Sequence, residues 1–234
     1  MAYLEGKNLV ASYGVVPILH ECSVEVEKGE LAVIVGPNGA GKSTVMRVLL
    51  GMLDATSGTV TLDGNDISTL STQDRIAEGL GFVPQTKNVF PSMTVEENLQ
   101  MGGFIRKDDI SKTIDEVYEL FPILHEKRKQ LAEQLSGGQR QQVAFGRAMM
   151  TRPSVMLLDE PTAGVSPIVM DEIFSNILDV RNAGMAVLMV EQNAQQALNI
   201  ADKGYVLVSG RNEHTGTGKD LINNPEVRKK FLGG

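Results

Sequence analysis

Eight consecutive residues, Gly36 to Ser43, have the types and spacing of a loop that binds phosphate. They match the pattern G-x-x-x-x-G-K-[ST] and lie between an apolar run and an apolar helical segment. Glycines let the backbone turn tightly, so that consecutive N–H groups and a helix N-terminus point at one anion. The residues predicted to contact nucleotide phosphates are Gly36, Pro37, Asn38, Gly39, Ala40, Gly41, Lys42, Ser43 and Thr44.

Two of these side chains have specific predicted tasks. Lys42 would reach the β- and γ-phosphates, and the Ser43 hydroxyl would ligate Mg²⁺. A second pair of chemical groups, Asp159 and Glu160, follows the apolar run Val155–Leu158. Ligands of open α/β sheets bind at the carboxyl ends of strands, so Asp159 is placed to hold Mg²⁺ directly or through water. Glu160 would orient or deprotonate an attacking water; alone, the pair would equally suit a solvated acidic turn.

Short apolar runs predict the strands that must position these groups. Leu31–Val35 and Ala186–Val190 have the composition of strands buried on both faces. The other predicted strands are Tyr3–Tyr13, Ser23–Val26, Thr59–Leu62, Leu80–Val83, Val155–Leu158 and Lys203–Ser209.

Helical spacing is concentrated in the middle of the chain. The predicted helices are Thr44–Leu50, Val95–Phe104, Asp109–Leu120, Gly137–Met150 and one that begins at Ser166-Pro167 and ends at Gly184. Strands and helices alternate on either side of this block. We therefore predict a single domain over 1–234, with an α/β core (1–85 and 155–234) and an inserted helical subdomain (about 86–154).

Composition excludes several classes of protein. The net charge of −7 argues against nucleic acid as the main partner, because phosphate backbones recruit basic surfaces. The single cysteine, Cys22, excludes an internal disulfide and favours a reducing compartment. Apolar runs are shorter than the ~18 residues that span a bilayer. The first residues lack an apolar signal core, so we expect no secretion.

The segment Leu135-Ser136-Gly137-Gly138-Gln139 adds a specific family resemblance. It resembles the signature motif of ABC-type ATPases, with Arg147 and Pro153 where that family usually has them. A plain capped helix would explain the serine and glycines but not their occurrence together with the phosphate loop and the Asp-Glu-Pro segment. The resemblance covers nearly the whole chain. It implies a P-loop NTPase core with a mixed sheet, N-terminal antiparallel strands and an inserted helical subdomain.

The resemblance also implies an activity, which is hydrolysis of ATP with Mg²⁺. The resemblance further implies that the signature closes the ATP site of a second ATPase domain in a head-to-tail dimer. Tyr13 takes the place of an aromatic residue that stacks on adenine, and Gln85 that of a glutamine that contacts Mg²⁺ and the attacking water. Read without the family, Tyr13 is a surface residue at a strand end and Gln85 a polar loop residue.

Two positions depart from the usual family pattern. Gln192 occupies the place of a histidine that contacts the γ-phosphate, and Ser166 that of an aspartate that contacts the partner domain. A glutamine amide can donate to a phosphate oxygen but carries no charge. The chain's three histidines, His20, His125 and His214, are distant in sequence and are predicted to be surface residues. These departures predict two unequal ATP sites, of which the one built on Lys42, Asp159 and Gln192 is slower.

Several further segments resemble one of the two ATPases of branched-chain amino acid importers. They are Thr94–Phe104, Tyr118–Pro122, Ser166–Ile168, Val190–Ala194 and the ending Phe231-Leu-Gly-Gly. The implied partners are a second ATPase subunit (a heterodimer, or a homodimer in isolation), two membrane permeases that meet Phe90–Asn98, and indirectly an extracytoplasmic solute-binding protein. The resemblance places the chain peripherally on the cytoplasmic face of the plasma membrane.

Other functions remain open at this point. Close relatives serve urea and short amides. Non-transport ABC ATPases of translation or DNA repair usually carry two cassettes or a long coiled coil, whereas here about ninety residues separate the phosphate loop from the signature. A nucleotide-gated binding module with little catalysis is a further alternative, because Gln192 replaces the usual histidine.

Overall fold

Ten strands and ten α-helices are found in the computed structural model, which describes residues 2–231. The strands are β1 (Leu4–Tyr13), β2 (Val16–Val26), β3 (Leu31–Val35), β4 (Ser57–Leu62), β5 (Asn65–Asp66), β6 (Leu80–Val83), β7 (Val155–Asp159), β8 (Ala186–Val190), β9 (Lys203–Val208) and β10 (Arg211–Gly216). The helices are α1 (Lys42–Leu49), α2 (Thr72–Ala77), α3 (Val95–Gly102), α4 (Ser111–Leu120), α5 (Pro122–Glu126), α6 (Gly137–Met149), α7 (Pro167–Asn182), α8 (Ala194–Ile200), α9 (Gly218–Asn223) and α10 (Pro225–Phe231).

The strands form two sheets. An antiparallel sheet has the order β2-β1-β4-β5, and a mixed sheet has the order β10-β9-β3-β8-β7-β6. In the mixed sheet β9, β3, β8, β7 and β6 are parallel, and β10 pairs antiparallel with β9. This confirms the predicted α/β fold with a mixed sheet and N-terminal antiparallel strands.

The mixed sheet is covered on both faces. All five residues of β3 are buried. Leu31, Val33 and Val35 belong to the apolar cluster under the helices. Ala32 and Ile34 belong to the cluster that joins this sheet to α1 and the antiparallel sheet. A run of consecutive apolar residues is what a strand needs when neither face meets water.

Between β6 and β7 the chain is helical, and α3, α4, α5 and α6 pack around one apolar centre. Leu99, Phe121, Leu124 and Phe145 are buried there, and the cluster continues without a break to the mixed sheet. Capping boxes begin two of these helices, Thr94 with Glu97 at α3 and Ser136 with Gln139 at α6. Each satisfies two N–H groups that a helix start would leave unpaired.

Several elements differ from the sequence prediction. β2 begins at Val16 rather than Ser23, because the polar residues His20 and Glu21 interrupt the apolar alternation of its first part, where Leu19 and Cys22 are buried. β10 was not predicted for the same reason: it is a polar edge strand with no buried residue. Ser166 is the N-cap of α7 as predicted, although its side chain makes no capping hydrogen bond among the described residues.

No helix within residues 2–231 is long and apolar enough to cross a membrane.

Candidate active site

Four neighbouring parallel strands bring the predicted chemical groups to one edge of the mixed sheet. β3 leads into the phosphate loop and α1, β6 leads to Gln85, β7 ends at Asp159 and Glu160, and β8 leads to Gln192. Because parallel strands have their carboxyl ends on the same side, residues distant in sequence converge there.

The phosphate loop has the tight backbone that its glycines allow. At Gly36, with φ of +152°, a Cβ atom would lie 2.2 Å from the carbonyl oxygen of Leu207. Gly41, with φ of +100°, is the N-cap of α1 and has no side-chain oxygen, so the first N–H groups of the helix are left for a bound anion. The loop therefore needs glycine for close packing at one end and for a left-handed cap at the other.

Lys42 is buried beneath this loop. Its Nζ donates to the carbonyl oxygens of Gly36 at 2.9 Å and of Pro37 at 3.3 Å. Burial lowers the pKa of Lys42, and the negative charges of nearby acidic residues oppose that shift; they are Glu160, Asp159 and Glu191. A phosphate group entering the loop would supply oxygen acceptors for this ammonium group.

Ser43 and Asp159 lie side by side, as the predicted magnesium ligands should. Ser43 Oγ donates to Asp159 Oδ1 at 3.4 Å. Burial raises the pKa of Asp159, and the Ser43 hydrogen bond and the charges of Arg47 and Lys42 lower it. A hydroxyl and a carboxylate are hard oxygen ligands of the kind Mg²⁺ prefers, so the pair fits that ion.

Glu160 is held between two amide side chains. Its Oε2 accepts from Gln85 Nε2 at 3.0 Å and from Gln192 Nε2 at 2.7 Å. The residue is 8% exposed, and its φ of +48° is uncommon for a residue with a side chain. Its backbone N–H donates to the carbonyl oxygen of Val190 at 2.9 Å, which ties it to β8. Of the three histidines that were predicted to be surface residues, His125 is exposed, and His20 and His214 are half-buried.

Tyr13 ends β1 beside the phosphate-loop helix. Its hydroxyl accepts from Nη1 of Arg47 at 2.9 Å, and Arg47 lies on α1 about one turn after Ser43. The side chain is 43% exposed, which leaves aromatic surface for a ligand.

The signature residues lie outside this cleft. Ser136 caps α6: its Oγ accepts from the N–H of Gln139 at 3.2 Å, and Gln139 Oε1 accepts from the N–H of Ser136 at 3.1 Å. Leu135 is buried and Ser136 is exposed. In the part of the chain that the structure describes, the cleft at the phosphate loop is lined by other residues, namely Ile18, Asn38, Gly39, Ala40, Gly41, Lys42, Ser43, Thr44 and Glu160.

The sequence prediction missed two groups next to the site. Glu191 is 1% exposed and directly precedes Gln192. It follows a buried strand, which is the same signal that identified Asp159. Asn88, three residues after Gln85, donates through Nδ2 to Gln141 Oε1 of α6 at 2.8 Å and so connects the Gln85 loop to the signature helix. That contact joins positions far apart in sequence, and no local pattern indicates it.

Comparison with known proteins agrees with this geometry. The family model "ABC transporter" matches residues 19–163. The high-affinity branched-chain amino acid transport ATP-binding protein BraG of Pseudomonas aeruginosa is 46% identical over 95% of this chain and 96% of its own length. A probable LivF of Archaeoglobus fulgidus is 39% identical, over 97% of each chain. The lipopolysaccharide export ATP-binding protein LptB of Haemophilus influenzae is 36% identical, over 100% of this chain and 98% of its own.

Solved structures give the same result. A crystal structure of the ADP conformation of an ATP-binding cassette of an ABC transporter superposes with a TM-score of 0.90, at 31% identity and with both chains fully covered. A nucleotide-free cassette superposes with a TM-score of 0.88, also at 31% identity. The chain therefore belongs to the ATP-binding subunits of ABC transporters, a family of ATPases.

Proposed function

We propose that this chain is the ATP-hydrolysing subunit of an importer of branched-chain amino acids. The observation that supports this most strongly is the convergence of Lys42, Asp159 and Glu160 in a chain that matches a branched-chain amino acid transport ATPase over nearly its full length. The site supports the proposed ATP hydrolysis, and the similarity to amino acid transport ATPases supports the proposed cargo.

Each side chain at the site has a proposed task. The loop N–H groups and Lys42 bind the phosphates, and Gly36 to Thr44 enclose them. Ser43, Asp159 and Gln85 would hold Mg²⁺, which would supply positive charge to the phosphate oxygens. Glu160 orients the attacking water and accepts its proton. Gln192 donates an amide N–H to the γ-phosphate; its Nε2 carries two N–H groups, and one of them donates to Glu160.

The chain is proposed to work with a second ATPase subunit. Its own signature residues, Leu135 to Gln139, lie outside its own phosphate cleft, which is consistent with a head-to-tail dimer in which each signature closes the partner's ATP site. Gln192 has no charge to offer the γ-phosphate, so in a heterodimer with a partner that has a histidine there, this chain's site is the slower one. We further propose that 86–154 acts as a helical subdomain on the core formed by 1–85 and 155–234.

Exposed apolar side chains on the helical insertion support docking onto membrane permeases. Phe104 is 78% exposed, Ile105 61% and Phe90 40%, and the Arg147 guanidinium lies 4.9 Å from the centre of the Phe90 ring. We interpret these exposed apolar side chains as part of an interaction site. The chain would then sit peripherally on the cytoplasmic face of the plasma membrane, and a solute-binding protein would act outside.

Lipopolysaccharide export is a second candidate function, because LptB of Haemophilus influenzae is 36% identical over the whole of this chain. The higher identity to BraG favours amino acid import. The transport test is therefore designed to separate the two cargoes.

Transport in proteoliposomes tests the proposed function. The chain would be co-purified with its permeases and second ATPase and reconstituted with ATP inside the vesicles and the solute-binding protein and radiolabelled leucine outside. We expect uptake of leucine that is lost with Lys42→Ala and on removal of Mg²⁺ with EDTA. Uptake of urea or acetamide instead, or extraction of lipopolysaccharide without leucine uptake, would show that the proposed cargo is wrong.

Tyr13→Ala is expected to weaken ATP binding by about 1–3 kcal/mol, because stacking of a base on an aromatic ring is worth about this much. Tyr13→Phe is the matched control, since it keeps the ring and removes only the hydrogen bond from Arg47. Titration of each variant with a fluorescent ATP analogue measures the effect. Equal weakening by both variants would assign the loss to the Arg47 contact rather than to stacking.

A further inference from the structure

One buried carboxylate beside the site has no task in the mechanism above. Glu191 is 1% exposed and lies between β8 and Gln192. Burying a charged or polar group costs free energy unless hydrogen bonds replace the lost water. Its position therefore requires partners within the protein.

Those partners come from the two loops that carry Glu160 and Gln192. Oε1 of Glu191 accepts from the backbone N–H of Thr162 at 3.0 Å and from its hydroxyl at 2.8 Å. Oε2 accepts from the backbone N–H of Gln192 at 3.0 Å. Burial raises the pKa of Glu191, and these hydrogen bonds lower it. Donors surround both oxygens, an environment that suits a carboxylate because an ionised carboxyl group only accepts hydrogen bonds.

The same residue is also tied to the strand that leads into the phosphate loop. The backbone N–H of Glu191 donates to the carbonyl oxygen of Ile34 in β3 at 3.1 Å. Thr162 lies two residues after Glu160, and Gln192 directly follows Glu191. The side chain of Glu191 thus joins the backbones on either side of the hydrogen bond between Gln192 and Glu160, which measures 2.7 Å.

We propose that Glu191 is a positioning residue for ATP hydrolysis. Its carboxylate holds the Glu160–Thr162 loop and the Gln192–Asn193 loop in register, so that the Glu160 carboxylate and the Gln192 amide meet the attacking water and the γ-phosphate together. The inference rests on the roles proposed above for Glu160 and Gln192.

Turnover and ATP affinity separate this role from a merely structural one. The phosphate loop holds ATP with its own N–H groups and Lys42, and Glu191 lies near Lys42 only as a negative charge. Glu191→Gln removes that charge and two acceptor sites while keeping the shape of the side chain. It should therefore leave ATP affinity unchanged or tighter while turnover falls, because small displacements of catalytic groups cost up to about 100-fold in rate.

The test compares the ATP turnover and the ATP affinity of the purified full chain with those of four variants. Glu191→Gln is expected to lower kcat by about 10- to 100-fold with no loss of ATP affinity. Glu191→Asp, which keeps the charge but shortens the reach, should recover part of the rate. Thr162→Val removes one donor to Glu191 and should lower kcat less. Combining it with Glu191→Gln should give less than the product of the two losses, because both break one contact.

Thr113→Val is the matched control. Thr113 is a buried threonine (2% exposed) whose hydroxyl accepts from Arg106 at 2.8 Å and from Arg152 at 3.0 Å, within the helical insertion. It should lower stability in the same way as Thr162→Val without changing kcat at saturating ATP. A kcat that falls equally in both threonine variants would assign the effect to stability and overturn the inference.

Amide hydrogen exchange gives a second readout that does not depend on turnover. Peptides covering 160–166 and 190–196 should exchange faster in Glu191→Gln, while peptides of the phosphate loop keep their protection. Unchanged exchange together with wild-type kcat would overturn the role of Glu191. Glu160→Gln separates failure of the proposed function from failure of the inference about Glu191. If Glu160→Gln retains wild-type turnover, the proposed role of Glu160 is wrong. If Glu160→Gln is inactive while Glu191→Gln is fully active, only the inference about Glu191 fails.

Discussion

Glu160→Gln is expected to lower the ATP turnover of this chain by at least about 100-fold, because general bases contribute about 100- to 10,000-fold. Glutamine keeps the size of the side chain and an acceptor oxygen, but it does not take up a proton from water at neutral pH. ATP binding should survive, since the phosphate loop and Lys42 are unchanged. The ATP-bound state should therefore accumulate.

Phosphate release gives kcat, and a fluorescent ATP analogue gives affinity. Glu119→Gln is the control, because Glu119 is an exposed glutamate on α4, far along the chain from the site residues, and should leave both quantities unchanged. Turnover close to that of the wild type would contradict the assignment of Glu160 as the base. It would instead favour another group on the attacking water.

The same substitution tests the inequality of the two ATP sites. In a heterodimer, Glu160→Gln in this chain should remove less of the total ATPase activity than the matching change in the partner, because the site with Gln192 is the slower one. Equal losses from the two subunits would contradict the inequality while leaving the role of Glu160 intact.

Arg75→Leu is expected to lower the free energy of unfolding by about 1–3 kcal/mol, the cost of leaving a buried hydrogen-bond acceptor without a donor. Arg75 is 3% exposed, and its guanidinium donates to four backbone carbonyl oxygens of the described residues. Nη1 donates to Val48 at 2.7 Å and Leu49 at 2.8 Å, at the end of α1, and the other nitrogens donate to Ser68 at 2.6 Å and Leu70 at 3.1 Å. Leucine would remove all four of these hydrogen bonds; the Val48 oxygen would keep its bond from the N–H of Gly51, whereas the others would lose the guanidinium donor.

Urea unfolding measures this effect as a lower midpoint at an unchanged slope. Arg75→Lys should be intermediate, because one ammonium group cannot reproduce the planar set of donors. Arg211→Met, at an exposed position on β10, is the control and should leave the midpoint unchanged. A loss for Arg75→Leu no larger than that of the control would mean that water replaces the guanidinium at the end of α1.

The parts of the site that could be predicted from the sequence are those whose signal is local. The phosphate loop is one continuous segment, and Asp159 and Glu160 directly follow an apolar run. Arg75 is the opposite case. Its acceptors are backbone carbonyls as far as 27 residues away, and every residue has a carbonyl, so no residue type marks them.

Buried strands can likewise be predicted from a local sequence signal, whereas edge strands cannot. The buried strand β3 has five apolar residues, because both of its faces are buried, and this apolar run can be recognised in the sequence. β10 is paired on one side only and alternates between exposed and half-buried polar residues, so its hydrogen bonds to β9 define it. Glu191 shows a third limit of prediction from the sequence. Its place after a strand could be predicted, but its contact with Thr162 depends on how two loops meet.

The central position of β3 has a consequence for the order in which the protein acquires its activity during synthesis. Its neighbours in the sheet are β8 and β9, with Leu31 opposite Val187 and Val35 opposite Val206. The antiparallel sheet, by contrast, draws all its strands from the first 66 residues. A nascent chain can therefore assemble that sheet early, while the strand that presents the phosphate loop waits for partners that lie about 150 residues further along the chain. We expect a ribosome-bound chain to remain unable to retain nucleotide until β9 has left the exit tunnel.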